Sequence, residues 1–160
     1  MSAKRILFVC TGNSCRSVMA QYLLEHLLKR GGIETVEVDS AGVFAMDGLP
    51  ASQETRRVLA AIGIDASAHR TKALTVPSVE EADWIFAMEQ FQVDEIVRRV
   101  PEASRKVHLL KSYAACGEEA KGNQNIPDPI GKPMEVYEVC LTEIRKAVER
   151  IARSLGGQRV

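Results

Sequence analysis

A cysteine and an arginine near the start of the chain have the spacing of an anion-binding loop. Five residues separate Cys10 from Arg16, and Ser17 follows directly. Five residues can wrap their backbone N–H groups around a tetrahedral oxyanion, and the first turn of a following helix adds unpaired donors and its dipole. A guanidinium can bind two oxygens of such an anion at once. We therefore predict a phosphate-binding loop formed by Thr11, Gly12, Asn13, Ser14, Cys15, Arg16 and Ser17.

The same surroundings favour a negatively charged sulfur at Cys10, because amide dipoles, a helix terminus and a guanidinium all stabilise a thiolate. We predict that Cys10 attacks phosphorus in line and forms a cysteinyl-phosphate, which water then hydrolyses. The two steps require an acid and then a base. We expect the Ser17 hydroxyl to donate to the sulfur, and Gly12 and Asn13 to adopt left-handed backbone conformations.

Strands and helices alternate along the chain at a spacing that positions this loop. The hydrophobic pattern predicts strands at 5–10, 35–41, 84–88 and 106–110, and helices from Ser17 to Gly31, from a Ser52 cap to Gly63, over 93–100 and over 136–155. Ser78 to Glu81 matches a capping box. We predict a doubly wound α/β domain over 1–160, a three-layer α/β/α sandwich with four parallel strands. Its ligands should bind at the carboxyl ends of the strands, where Cys10 lies.

Composition excludes several other classes of protein. The 160 residues include 21 lysines and arginines and 21 aspartates and glutamates, so no global field attracts nucleic acid or an anionic membrane. The first apolar run is too short for a signal peptide or a spanning helix. We therefore expect a cytoplasmic protein, and we expect a monomer. In a reducing compartment Cys10 and Cys15 are candidates for reactivity, while Cys116 and Cys140 are better explained by packing. Cysteine and histidine spacing predicts no metal site and no cofactor.

The chain resembles the low-molecular-weight protein tyrosine phosphatase family over its whole length. The resemblance lies in CTGNSCRSxMA at the N-terminus, SAG after the second strand and a DP dipeptide at Asp128. It implies that Asp128 protonates the leaving group and later activates water, a role that the residues alone do not distinguish from that of a turn residue.

The resemblance also implies support and redox roles near the loop. Asn13, Ser40 and His69 correspond to residues that hold the loop in its strained shape. Cys15 corresponds to a cysteine that can form a disulfide with Cys10 under oxidation, although a small buried filler is an equal interpretation.

Three positions bear on which phosphate is removed. Ser14 occupies a position that is commonly a bulky aliphatic residue in tyrosine-specific members, whereas members acting on phosphoarginine have a small hydroxyl residue there. Phe44 could offer its ring face to a guanidinium. Ile130 replaces an aromatic residue after the DP dipeptide, so one wall of the expected cleft is missing. Phosphoarginine and phosphotyrosine on protein substrates both stay open.

Two other classes share this loop. Thioredoxin-linked arsenate reductases pass oxidation to two more cysteines in the middle of the chain, but Glu81 to Val100 contains none. A non-catalytic phosphate-binding module would have the loop without needing Asp128 or a reactive sulfur.

Overall fold

Four parallel strands form the centre of the molecule. The structure is a computed structural model that describes residues 3–115 and 117–156, so Cys116 lies outside the described residues. The strands are β1 (Lys4–Cys10), β2 (Val36–Gly42), β3 (Trp84–Ala87) and β4 (Val107–Leu109), and their order in the sheet is β2-β1-β3-β4. All neighbouring pairs are parallel. The predicted α/β class with four parallel strands is confirmed.

Helices connect the strands and cover the sheet. They are α1 (Arg16–Arg30), α2 (Gln53–Ala60), α3 (Val76–Glu81), α4 (Gln90–Arg99), α5 (Leu110–Ala114) and α6 (Met134–Gly156), with 3-10 turns at Pro101–Arg105 and Gly117–Ala120. Among the described segments, no helix is both long enough and apolar enough to cross a membrane.

Strand β1 is buried on both faces, as its continuous apolar run predicts. Ile6 and Phe8 point into a core cluster shared with α1, α2 and α6. Leu7 and Val9 point into a second cluster on the opposite face, with residues of α3 and α4. The alternation of successive side chains between the two faces of a strand explains this division, and it produces the predicted three layers.

Several helix boundaries differ from the sequence predictions, among them the end of α2 at Ala60 and not at Gly63. The N-cap of α3 is Thr75, with Ser78 as its reciprocal partner at the third position, so the assignment of Ser78 as the cap was wrong. Proline at the start of the helix favours this earlier beginning. Helix α4 begins at Gln90 and not at the predicted 93, because polar Gln90 and Gln92 interrupt the apolar pattern from which the start was predicted. Leu110, predicted at the end of β4, begins α5.

The sheet order places two chain segments side by side at the carboxyl edge. Strand β1 lies between β2 and β3, so the order of connection reverses there. Such a reversal leaves a crevice in which ligands of doubly wound sheets bind. The loop after β1 and the turn after β3 both open into this crevice.

Candidate active site

The Cys10 sulfur lies at the carboxyl end of β1, buried beneath the loop that follows. Its Sγ is 3.0 Å from the Ser17 hydroxyl oxygen, and that oxygen accepts a hydrogen bond from the Asn13 side-chain amide at 2.8 Å. Because the hydroxyl already accepts from Asn13, its own proton can be donated to the sulfur. The structure therefore places a hydroxyl donor against Cys10, as the spacing predicts.

Asn13 fixes the shape of the phosphate loop, by which we mean residues 10–17. Its φ is 54°, in the left-handed region, and its side chain is fully buried. The amide donates to Ser17 and to Ser40, the latter at 2.9 Å, and accepts from the Lys72 backbone N–H at 2.9 Å. The left-handed conformation predicted for Asn13 is confirmed. The same prediction for Gly12 was wrong, because its φ lies outside that region.

His69 and Ser40 contact Asn13 from outside the loop. The His69 Nε2 atom lies 2.9 Å from the Asn13 carbonyl oxygen. A carbonyl oxygen can only accept, so Nε2 carries the proton and donates. Burial lowers the pKa of His69 below its usual value, which favours the neutral ring, although the Asn13 carbonyl acts in the opposite direction.

Two supports of the loop were missed from the sequence. Ser40 donates to the Gln21 side-chain oxygen at 2.5 Å, so helix α1 completes the network around Asn13. A Cβ atom at Gly42 would lie 2.5 Å from the Thr11 carbonyl oxygen and 2.9 Å from the Asn13 nitrogen. Only a glycine lets the loop approach β2 this closely.

Arg16 is the most deeply buried charged residue of the site, with a side chain that is 1% exposed. Its Nη1 atom donates to a Glu89 carboxylate oxygen at 2.7 Å and to the Ile126 carbonyl oxygen at 2.7 Å. A buried guanidinium requires such partners, because an unpaired buried charge is very costly. Glu89 was not identified from the sequence.

Asp128 approaches the same guanidinium from the loop of residues 125–130, which we call the acid loop. Its Oδ2 atom is 3.6 Å from Arg16 Nη2, and its side chain is 40% exposed. The other oxygen accepts from the Ile130 N–H at 3.0 Å, which is a local turn contact. The structure thus brings Asp128 and Arg16 together although 111 residues separate them in the sequence.

Gln92 links the phosphate loop to the turn after β3. Its amide nitrogen donates to the Thr11 hydroxyl at 3.1 Å, and its amide oxygen accepts from the N–H groups of Met88 and Glu89. The side chain is fully buried. The sequence carried a signal for a helix start here, since Glu89 and Gln92 have the spacing of a capping box, but no signal for the contact with Thr11.

Cys15 is buried in the phosphate loop. Its Sγ donates to the Ser52 hydroxyl at 3.3 Å. Burial, followed by the Cys15 sulfur, raises the pKa of Tyr137 to about 12. Burial likewise raises the pKa of Cys140 to about 12, which keeps that thiol protonated. Cys10, Cys15 and Cys140 are all free thiols.

The predicted pocket residues Ser14, Phe44 and Ile130 lie in three segments: the phosphate loop, the segment after β2 and the acid loop. Ser14 is half-buried, whereas Phe44 is 65% and Ile130 57% exposed. The Phe44 N–H donates to the Thr11 carbonyl at 3.0 Å, and the Ser52 N–H donates to the Ser14 carbonyl at 3.0 Å. These bonds attach the segment after β2 to the phosphate loop. Phe44 therefore stands beside the loop, while Ile130 follows Asp128.

Within the described ranges, no three histidine, cysteine, aspartate or glutamate side chains are grouped so that they could hold a metal ion. The side chains that meet at the site supply a cysteine sulfur, a guanidinium and a carboxyl group. Together these groups can bind a tetrahedral anion and transfer a proton.

Comparison with known proteins identifies similar sequences and structures. The family model for low molecular weight phosphotyrosine protein phosphatase matches residues 5–160. A protein-arginine-phosphatase from Geobacillus stearothermophilus is 43% identical over 94% of this chain and 95% of its own. A probable low molecular weight protein-tyrosine-phosphatase, EpsP, from Ralstonia nicotianae is 39% identical over 91% of this chain and 92% of its own.

The solved structures agree with the sequence matches. The YwlE arginine phosphatase from Geobacillus stearothermophilus superposes with a TM-score of 0.86 at 40% identity and covers 98% of this chain and 95% of its own. A low molecular weight protein tyrosine phosphatase from T. tengcongensis has a TM-score of 0.85 at 36% identity, and covers 95% of this chain and 99% of its own. These matches favour a phosphatase over the alternative of an arsenate reductase.

Proposed function

Because the chain belongs to the low molecular weight phosphotyrosine protein phosphatase family, we propose that it hydrolyses phosphorylated proteins in two steps. The Cys10 thiolate attacks phosphorus, the bond from phosphorus to the leaving atom breaks, and Asp128 gives its proton to that atom. Water then attacks the cysteinyl-phosphate while the Asp128 carboxylate accepts a proton from it. The sulfur–phosphorus bond breaks, and inorganic phosphate and the thiolate are released.

The observation that carries the proposal is the convergence on one guanidinium. Arg16 follows the loop that holds Cys10, and its Nη2 atom lies 3.6 Å from Asp128. A phosphoryl group bound between the loop amides and Arg16 therefore has the sulfur beneath it and a carboxyl group near its leaving atom. This is the in-line arrangement that phosphoryl transfer requires.

The test uses p-nitrophenyl phosphate and three proteins: wild type, Cys10→Ser and Asp128→Asn. We expect wild-type turnover, loss on the order of 10⁴-fold or more in Cys10→Ser, and a phosphorylated intermediate of the wild type after rapid acid quenching. Turnover that survives in Cys10→Ser would contradict the nucleophile. Tight phosphate binding without turnover in the wild type would identify a binding module instead.

For the substrate, we propose phosphoarginine on proteins. The Ser14 hydroxyl gives a small and polar pocket floor, and the exposed Phe44 ring beside the loop can stack on a guanidinium. The relative that is 43% identical is named a protein-arginine-phosphatase.

Phosphotyrosine is the second candidate, because the relative from Ralstonia at 39% identity is named a tyrosine phosphatase. Rates on phosphoarginine and phosphotyrosine peptides of one sequence decide between the two. We expect Ser14→Ile to shift preference toward phosphotyrosine, whereas the matched variant Ser14→Thr, which keeps the hydroxyl, should not. An unchanged ratio in Ser14→Ile would show that Ser14 does not select the substrate.

Redox protection, location and oligomeric state complete the proposal. Peroxide would convert the Cys10 thiolate to a sulfenic acid, and the Cys15 thiol would displace water from it to form a disulfide. A Cys15→Ser variant should then lose the recovery of activity by dithiothreitol.

A mechanism that needs a free thiol favours the cytoplasm. We also propose a monomer, which light scattering would test.

A further inference from the structure

The Gln92 side chain, fully buried at the start of α4, forms hydrogen bonds both with the turn after β3 and with the phosphate loop. The Gln92 side-chain oxygen accepts from the N–H of Met88 at 2.9 Å and from the N–H of Glu89 at 3.0 Å. Its nitrogen donates to the Thr11 hydroxyl at 3.1 Å. One side chain thus fixes the turn and attaches it to the phosphate loop.

The same turn holds the base of the acid loop. The Met88 carbonyl oxygen accepts from the Ile126 N–H at 2.9 Å, and the Gln90 N–H donates to the Asn125 side-chain oxygen at 2.9 Å. Ile126 is fully buried, only two residues before Asp128. The position of the acid loop is therefore set by backbone atoms that Gln92 itself holds in place.

Glu89 closes the arrangement through Arg16. Its carboxylate accepts from Arg16 Nη1, which also donates to the Ile126 carbonyl oxygen. The turn, the phosphate loop and the acid loop therefore meet at one buried guanidinium. A shift of the turn would change the position of both loops relative to each other.

We propose that Gln92 is a positioning residue for the phosphatase reaction: by fixing the turn after β3 against Thr11, it sets the distance from Asp128 to the leaving atom. The inference rests on the proposed function, since it assigns Asp128 as the acid. General-acid catalysis depends steeply on placement, and an error of about 1 Å can remove a large part of it. A residue that only capped α4 would have no such selective effect.

The experiment compares two substrates that differ in their need for an acid. p-Nitrophenol leaves readily without a proton, whereas phenol does not. We expect Gln92→Met to lower kcat/KM for p-nitrophenyl phosphate by less than about fivefold and for phenyl phosphate by about fiftyfold, with inhibition by inorganic phosphate changed by less than about threefold. The control variant Gln53→Met, at the exposed start of α2, should match the wild type on both substrates.

Thr11→Val provides a second variant in which the cap of α4 stays intact. It removes only the hydroxyl that Gln92 contacts, and although Thr11 lies in the phosphate loop, kcat/KM should fall by a larger factor for phenyl phosphate than for p-nitrophenyl phosphate. In an Asp128→Asn background, Gln92→Met should have no further selective effect, because the acid it positions is gone. This double variant is the readout that a purely structural role would not reproduce.

The outcomes separate the inference from the function it rests on. An equal loss on both substrates, or no loss in either variant, would overturn the positioning role while leaving the phosphatase assignment intact. A selective loss that persists in the Asp128→Asn background would also overturn it. Absence of Cys10-dependent turnover in the wild type would overturn the proposed function, and the positioning role with it.

Discussion

The phosphate loop and the acid loop contact the same guanidinium but are held in different ways. In the phosphate loop, a single residue, Asn13, forms hydrogen bonds with four others: Ser17, Ser40, His69 and Lys72. The Asp128 carboxyl group is 40% exposed, and among the described residues it accepts a local turn bond from Ile130 and contacts Arg16. The proposed nucleophile is therefore enclosed by several elements, whereas the proposed acid lies on a loop that is fixed mainly at its base.

The difference follows from what each loop must do. The phosphate loop keeps a non-glycine residue at positive φ, and such a conformation persists only where the surroundings determine it several times over. The acid must reach the leaving atom of a group that enters from solvent, so its carboxyl group cannot be buried in advance. Changes in the first loop should thus lower stability and activity together, while changes in the second should lower activity alone.

Arg16→Lys should have the largest effect, because Arg16 is part of the phosphate loop and its guanidinium contacts the acid loop. An ammonium cannot bind two phosphate oxygens in a plane and also retain Glu89 and Ile126, so we expect kcat/KM to fall on the order of 10³-fold or more. The melting temperature should fall as well, because Glu89 loses its buried partner. Steady-state kinetics and calorimetry measure both. Arg98→Lys, at an exposed pair with Glu95, is the control; a loss below tenfold in Arg16→Lys would contradict this account.

Asp128→Asn sharpens the comparison from the side of the acid loop. The side-chain amide of the variant keeps the acceptor for the Ile130 N–H but cannot give a proton. The kcat for phenyl phosphate, whose leaving group needs that proton, should therefore fall by about 10²- to 10³-fold. The free energy of unfolding in urea should change by less than about 0.5 kcal/mol, because the side chain is substantially exposed. Destabilisation above about 1 kcal/mol would mean that the acid loop is as tightly integrated as the phosphate loop.

Asn13→Ala tests whether the phosphate loop stores strain. It leaves buried donors and acceptors without partners and places an alanine at φ 54°, so we expect a loss of about 2–4 kcal/mol in the free energy of unfolding. Asn13→Gly loses the same hydrogen bonds but adopts this φ freely, and should be more stable than the alanine variant by about 1 kcal/mol. Equal stability of the two variants in urea denaturation would show that no strain resides at this position.

The smallest expected effect is a pH dependence of stability that arises at His69. Its folded pKa is lowered, so the unfolded chain binds the proton more readily. The contribution is fully present above the unfolded value of about 6.5 and is lost as pH falls through the folded value. The melting temperature should therefore fall more steeply between pH 7 and pH 5 in the wild type than in His69→Gln. The half-buried His26 of α1 gives the control, His26→Gln; parallel pH curves for wild type and His69→Gln would refute the assignment.

What the sequence predicted well is what lies close together along the chain. Cys10, Arg16 and Ser17 fall within eight residues, and the strand and helix on either side have clear apolar patterns, so the position of the loop followed from local rules. Ser52 capped its helix as predicted, since Thr55 N–H donates to its hydroxyl at 3.2 Å. These features need no knowledge of tertiary contacts.

The contacts that could not be predicted from the sequence depend on the order of the strands in the sheet. Glu89 and Gln92 are 73 and 81 residues from their partners Arg16 and Thr11, and they meet only because β3 lies beside β1. The true start of helix α4 was missed because Gln90 and Gln92 in its first turn are polar, so the apolar pattern that marks the helix begins only at Val93. Without an order for the strands, the E-x-x-Q pattern indicates a helix start and nothing more.

The glycine at the end of β2 limits how this site could be engineered. Gly42 leaves no room for a methyl group against the Thr11 carbonyl. Residues 10–17 copied as an octapeptide onto another parallel sheet would therefore not fold into the same loop by themselves. The adjacent strand of the host would also have to end in a glycine. The transferable unit is two neighbouring strand ends, and a graft that supplies only one of them should fail to bind oxyanions.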